Sequence, residues 1–202
     1  MMQIKKMTRK SSKQILFVCT GNTCRSPMAE YLFRQMCEKE KIKVKIISRG
    51  VDLEQPPTKM NVEAEEALKR YSESIGNTSQ HVSKTVNLKD LSESDMILVM
   101  SPTHKEKILE YANDKIKDLD KKIFTLKSLK REEGEIKDPY NQVLNPLYRL
   151  FKNFIPKRFK HLPDFWPFNK YKDYVYDSCR DEILENLEIL LNILSYNDFQ
   201  TL

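Results

Sequence analysis

The sequence predicts an α/β fold, a parallel sheet with helices on both faces, and three observations carry that expectation. Four short apolar runs have strand length: QILFVC (14–19), KVKIIS (43–48), DMILVM (95–100) and KIFTL (122–126). Helical patterns lie between and after them, and that alternation is the mark of a parallel sheet covered on both sides. The chain has 202 residues, 40% hydrophobic and 32% charged, which is enough for one substantial core, and it has no internal repeat.

Taken in order, the first run ends at Thr20-Gly21-Asn22, a turn signal. A helix is expected from Pro27, with Ser26 as its N-cap and proline at the first helical position. It would bury Met28, Ala29, Leu32, Phe33, Met36 and Cys37 at helical spacing. The second strand is ended by Arg49-Gly50. Residues 61–73 read as a helix with Val62, Ala64, Ala67 and Leu68 as apolar positions. The third strand is followed by a helix from Thr103 to Ala112. After the fourth strand comes a last helix from Asp173 to Leu194. Tyr176, Cys179, Ile183, Leu187, Leu190, Leu191 and Leu194 share one side of it.

Charge and composition bound the function. The net charge is +6, which suits acidic or phosphorylated partners. Part of it is a basic tail over 1–13, with Lys5, Lys6, Arg9, Lys10 and Lys13, expected to be solvated and disordered. No base-stacking motif accompanies these residues, so no nucleic-acid partner is expected. The apolar run Ile15 to Cys19 is too short for a signal-peptide core or a membrane span. A cytoplasmic location is therefore expected, with the four cysteines reduced. The remaining histidines and cysteines lack metal-ligand spacing.

Residues 14–202 read as one domain carrying an insert at 141–172. That stretch mixes Phe151, Phe154, Phe159, Phe165, Trp166 and Phe168 with Arg149, Lys152, Lys157, Arg158, Lys160 and Lys170. It is too aromatic for a disordered linker. Asn145-Pro146 could cap a short helix to Ile155, with Leu147, Leu150, Phe151, Phe154 and Ile155 on one stripe. A local subdomain is the plain expectation; a docking surface for a protein partner or an anionic membrane is the sharper one.

The segment that carries chemistry is Cys19-Thr20-Gly21-Asn22-Thr23-Cys24-Arg25-Ser26. A cysteine, five residues and an arginine lie between a strand and a helix N-terminus. Consecutive backbone N–H groups in such a turn curl into a nest for a tetrahedral oxyanion, and the helix adds its positive end. Arg25 supplies a planar fork for two phosphoryl oxygens. The same field favours the thiolate form of a cysteine at the strand end. Gly21 and Asn22 tolerate the left-handed backbone such a loop needs. Ser26 can donate to the sulfur. No Gly-Lys-Ser/Thr follows, so this is not a nucleotide-binding P-loop.

On these residues the chain resembles the low-molecular-weight protein tyrosine phosphatases, most of all their protein-arginine phosphatase branch. VCTGNTCRSPMAE (Val18 to Glu30) is similar to the family's N-terminal signature. The likeness continues through His81-Val82-Ser83, DMILVM followed by His104, KIFTL and Asp138-Pro139-Tyr140, and it resumes in the last helix. It implies a four-stranded parallel sheet in order 2-1-3-4, of flavodoxin-like type, with the site at the carboxyl end of the first strand. It implies Cys19 as nucleophile forming a phosphocysteine, with Arg25 and the N–H groups of Thr20, Gly21, Asn22, Thr23, Cys24 and Arg25 holding the phosphoryl oxygens. Asp138 would be the general acid and then the base for water, Pro139 would stiffen its loop and Tyr140 would line the pocket. It implies no metal or organic cofactor, and phosphorylated proteins as substrates. Cys24 could form a reversible disulfide with Cys19. His81 and His104 match family positions and read as structural; Cys37 and Cys179 read as core.

Thr23 bears on the substrate. Tyrosine phosphatases of the family usually place a larger aliphatic residue there, whereas the arginine phosphatase branch has threonine. Thr23 would narrow the pocket against an aryl ester, fit the slimmer guanidino-phosphate and help place water. Protein phosphoarginine is the favoured substrate and phosphotyrosine the alternative. An arsenate reductase would need a further redox cysteine pair, and a non-catalytic phosphate-binding module would not need Cys19, Arg25 and Asp138 together.

Overall fold

The computed structural model describes residues 13–52, 56–143 and 166–195, with side chains of the last segment from Lys170 onward. Its sheet has four parallel strands, β1 (Gln14–Cys19), β2 (Lys45–Gly50), β3 (Met96–Val99) and β4 (Ile123–Thr125), in the order β2-β1-β3-β4. The helices are α1 (Arg25–Lys39), α2 (Val62–Tyr71), α3 (Leu88–Glu93), α4 (Pro102–Ala112), α5 (Pro139–Val143) and α6 (Trp166–Ser195).

β1 is buried along its whole length because both faces of the sheet are covered. Ile15, Phe17 and Cys19 enter one core with residues of α1, α2 and α6; Leu16 and Val18 enter the other with residues of α3 and α4. Phe17 meets the edge of Phe33 of α1 at 6.0 Å between ring centroids. Each such side chain removed from water contributes roughly 1.5–3 kcal/mol. Beside α1, α6 presents Val175, Tyr176, Cys179, Ile183, Leu187 and Leu190 to the same core, with Leu191 and Leu194 only half buried beside it.

The register places Cys19 opposite Gly50 and Val18 opposite Val99, so three strands end together. β1 has the chain leaving it toward β2 on one side and β3 on the other. That reversal opens a crevice at the carboxyl ends of the strands, where α/β sheets bind ligands.

Several boundaries differ from expectation, each for a physical reason. α1 starts at Arg25, with Cys24 as N-cap and no side chain capping it. Ser26 is therefore not the cap but a first-turn residue, and its hydroxyl is used in the loop instead. Pro27 still sits in the first turn, where its missing N–H costs no helical bond. β2 begins at Lys45 rather than 43 and runs through Arg49 and Gly50, because Gly50 still pairs with Cys19. Val62 is 63% exposed: it opens α2 just after the cap Asn61, whose side chain accepts from Ala64 N at 3.0 Å. Only Ala64, Ala67 and Leu68 of that helix are buried. α3 is an addition to the expected elements; Asn87 caps it by accepting from Asp90 N at 2.9 Å.

α6 starts at Trp166 rather than Asp173, with Pro167 in its first turn. Both described ends of the aromatic stretch, 141–143 and 166–172, are thus helical. The expected helix over Asn145 to Ile155, and most of the basic tail, lie outside the described residues. No helix among the described residues is long and apolar enough to cross a membrane.

Candidate active site

β1 ends at Cys19 and α1 begins at Arg25, and the turn between them is shaped by one residue. Asn22 has φ of 55°, a left-handed conformation that asparagine tolerates better than most residues. Gly21, also expected to supply such a conformation, does not. Asn22 is 1% exposed and its side-chain nitrogen and oxygen are both bonded. Its Nδ2 donates to Ser26 Oγ (3.0 Å) and Ser48 Oγ (2.8 Å), and its Oδ1 accepts from Lys84 N (2.9 Å). His81 Nε2 donates to its carbonyl at 2.8 Å. A fully satisfied buried amide makes a rigid brace.

The neighbouring carbonyls also point outward. Thr20 O accepts from Asp52 N (3.0 Å) and Thr23 O from Asn61 N (2.8 Å). None of the N–H groups of residues 20–25 donates to another described residue. A ring of unengaged donors at a helix start is what an oxyanion nest requires.

Three reactive groups converge on this ring. Cys19 Sγ lies 3.0 Å from Ser26 Oγ, which is also 3.3 Å from Arg49 O. When the sulfur is a thiolate, the Ser26 proton is the one that serves it. The Arg25 residue is 5% exposed. Its Nη1 donates to Ile136 O at 3.1 Å, and its Nη2 to Thr20 Oγ1 (3.3 Å) and Asp138 Oδ2 (2.5 Å). Arg25 and Asp138 therefore form an ion pair across the mouth of the loop. Asp138 Oδ1 accepts from Tyr140 N at 3.1 Å, so the carboxylate also caps α5. Pro139 opens that short helix directly after Asp138.

Above the loop lies a cleft of about 510 Å³. Cys19, Thr20, Gly21, Thr23, Cys24 and Arg25 form its floor, and Lys59, Asn61, Asp138, Tyr140 and Asn141 its walls. The candidate residues named from the sequence thus fall in or directly beside one site. Ser26 and Asn22 brace it from beneath. Burial pushes the Cys24 thiol well above its ordinary range, so it stands protonated beside Cys19. Cys37 and Cys179 are buried core thiols, and Cys179 Sγ lies 3.8 Å from Lys137 O, under the Asp138 segment.

Sequence reasoning missed Lys59, Asn61, Ser48 and Gly50. Asn61 had a usable signal, as a cap residue before a helix. Gly50 had another, as a glycine at a strand end. A Cβ built there would stand 2.6 Å from Thr20 O and 3.0 Å from Gly21 C, both backbone atoms. Gly50→Ala must therefore push the loop out of shape. A displacement near 1 Å costs about 100-fold in rate, and overpacking costs roughly 1–3 kcal/mol. Steady-state kinetics and a thermal melt of Gly50→Ala check both; unchanged kcat/KM would show that β2 does not template the loop.

The family model described as low molecular weight phosphotyrosine protein phosphatase matches residues 14–198. A protein-arginine-phosphatase of Bacillus subtilis is 38% identical over 127 residues, 62% of this chain and 79% of the relative. The low molecular weight protein-tyrosine-phosphatase PtpB of Staphylococcus aureus is 33% identical over 131 residues, 63% of this chain and 81% of the relative. Among solved structures, a YwlE mutant from Bacillus subtilis superposes with a TM-score of 0.68 at 30% identity, covering 91% of this chain and 99% of that one.

Proposed function

The chain belongs to the low-molecular-weight phosphotyrosine protein phosphatase family, and on that premise we propose that it hydrolyses phosphoarginine on proteins through a phosphocysteine intermediate. The phosphoryl dianion settles on the N–H groups of residues 20–25. Arg25 keeps Nη1 on Ile136 O and turns Nε and the Asp138-facing Nη2 hydrogen to the phosphoryl oxygens. Arg25 cannot serve the dianion and the carboxylate equally, so Asp138 is released toward the leaving group.

Cys19 then attacks phosphorus, an S–P bond forms and the P–N bond breaks. Asp138, which takes up a proton from solvent as it parts from Arg25, gives that proton to the departing guanidino nitrogen and is left as the carboxylate. In the second step Asp138 takes a proton from water, whose oxygen attacks the phosphocysteine. The S–P bond breaks, inorganic phosphate leaves and the thiolate is restored.

The relatives include phosphatases named for arginine and for tyrosine, so kinship does not choose between them. The observation that supports phosphoarginine is Thr23, half-buried in the cleft beside Cys19. A guanidino group brings N–H donors into the cleft, and a donor pressed against an aliphatic wall loses a hydrogen bond to water. The Thr23 hydroxyl offers an acceptor where an aliphatic residue offers none. Phosphotyrosine is the second reading, supported by Tyr140, 55% exposed at the rim and able to stack on an aryl ring.

The deciding experiment measures kcat/KM on matched phosphoarginine and phosphotyrosine peptides, for the parent and for Thr23→Ile. The parent is expected to favour phosphoarginine. The swap is expected to lower that value about 10-fold or more while sparing phosphotyrosine. A parent that prefers phosphotyrosine, with the swap changing nothing, would sink the assignment.

A further inference from the structure

A buried histidine beside the site has no role in the reaction. His104, near the start of α4, is 4% exposed, and its Nε2 lies 3.0 Å from Thr20 Oγ1. The same oxygen accepts from Arg25 Nη2 at 3.3 Å. The other ring nitrogen, Nδ1, is buried with no partner among the described residues. We propose that His104 is a positioning residue: it fixes the Thr20 hydroxyl as a donor aimed into the phosphoryl cradle and, through Thr20, steadies the Arg25 guanidinium. The role rests on the phosphatase reading of the site.

The tautomer of the ring decides which atom donates. Burial, reinforced by the Arg25 charge, holds His104 down at about 3, so the ring is neutral and bears one proton. A proton on Nδ1 would leave a buried donor unsatisfied. A proton on Nε2 leaves only a lone pair unused. Orphaned buried N–H groups are the rarer defect in folded proteins, so the proton belongs on Nε2.

Nε2–H then donates to Thr20 Oγ1. Arg25 has no acceptor, so it donates to the same oxygen. A hydroxyl that accepts from both has one capacity left, its own proton. Neither His104 nor Arg25 can take that proton. It turns to the cleft, which Thr20 lines, and to the oxyanion held there. Remove the ring and the hydroxyl can rotate, spend its proton elsewhere and loosen its grip on Nη2.

The test is a double-mutant cycle on Thr20 and His104. It is read with p-nitrophenyl phosphate, which needs no protein recognition, and with orthovanadate binding by calorimetry. Thr20→Val is expected to lower kcat/KM roughly 10- to 100-fold, reaching only the low end of the range for loss of one transition-state donor because the backbone N–H groups remain. His104→Leu should lose a similar factor. His104→Gln, whose amide nitrogen can occupy the place of Nε2, should recover most of it. On a Thr20→Val background neither His104 change should alter the rate more than about twofold.

Vanadate affinity should follow the same order. Losses that add across the cycle, or a His104→Gln variant as poor as His104→Leu, would overturn the proposal. Thermal melts accompany every variant. Should His104→Leu fail to fold, Thr20→Val within about twofold of the parent overturns it equally. Vanadate binding is independent of turnover. A parent that binds vanadate yet releases no p-nitrophenol would refute the phosphatase reading and leave the cycle readable.

Discussion

Cys19→Ser is expected to lower kcat by at least about 10⁴-fold on every phosphorylated substrate while leaving fold and anion binding intact. The substitution exchanges one atom at a position 3% exposed, so packing hardly changes. The hydroxyl can keep the contact that Cys19 Sγ now makes with Ser26 Oγ at 3.0 Å. What it loses is ionisation: a thiol near a ring of amide donors can become an anion, and an alcohol there does not. Neither histidine beside the loop stands free to replace that property. His81 is committed to the Asn22 carbonyl and His104 to Thr20. Cys24 cannot substitute, since burial keeps it a thiol.

The donors of residues 20–25 remain in place. Inorganic phosphate should therefore raise the melting temperature of Cys19→Ser about as much as that of the parent. A single-turnover assay on a phosphopeptide supplies the rate. Activity within tenfold of the parent would mean that another group attacks phosphorus, and the loop would be a binding site only.

Physics explains which parts could be read in advance. β1 was legible because all six of its residues are buried, so its composition reports its environment directly. The loop was legible because its function needs residue types at fixed spacing within one turn. α3 was not: six residues carry no helical period, and only the cap at Asn87 hints at it. Ser26 misled for a definite reason. Serine before proline is a cap signal, but this hydroxyl is engaged by Cys19, Asn22 and Arg49, and the helix starts two residues earlier than expected.

Long-range neighbours are the general gap. Asp138 meets Arg25 from 113 positions away. Nothing in a charge pattern reports that pairing, so only the family likeness pointed to it. Gly50 and Ser48 come to the loop through the register of β2 on β1, which the order of residues alone does not contain. His104 reads as structural from position; its tautomer, and hence its use, follows only from what surrounds the ring.

Asp138→Asn separates the two chemical steps. On a phosphoarginine peptide the variant should lose about 10²- to 10⁴-fold in kcat, the range for a general acid and base. The loss belongs at the upper end, because guanidine is a strong base that leaves only after taking a proton. p-Nitrophenol departs readily as an anion, so the first step on its phosphate ester should be spared. The second step still needs a base for water and has none.

The variant should therefore release one equivalent of p-nitrophenol per active site in a burst, followed by slow turnover. Stability offers an independent reading. The introduced amide oxygen can still accept from Arg25, but the buried guanidinium, on a residue 5% exposed, loses its counter-charge. The melting temperature should fall and be restored by inorganic phosphate, which supplies the missing charge from the nest side. Full kcat on the phosphoarginine peptide, or steady release of p-nitrophenol with no burst, would remove Asp138 from the mechanism and leave its bond to Arg25 as a structural ion pair.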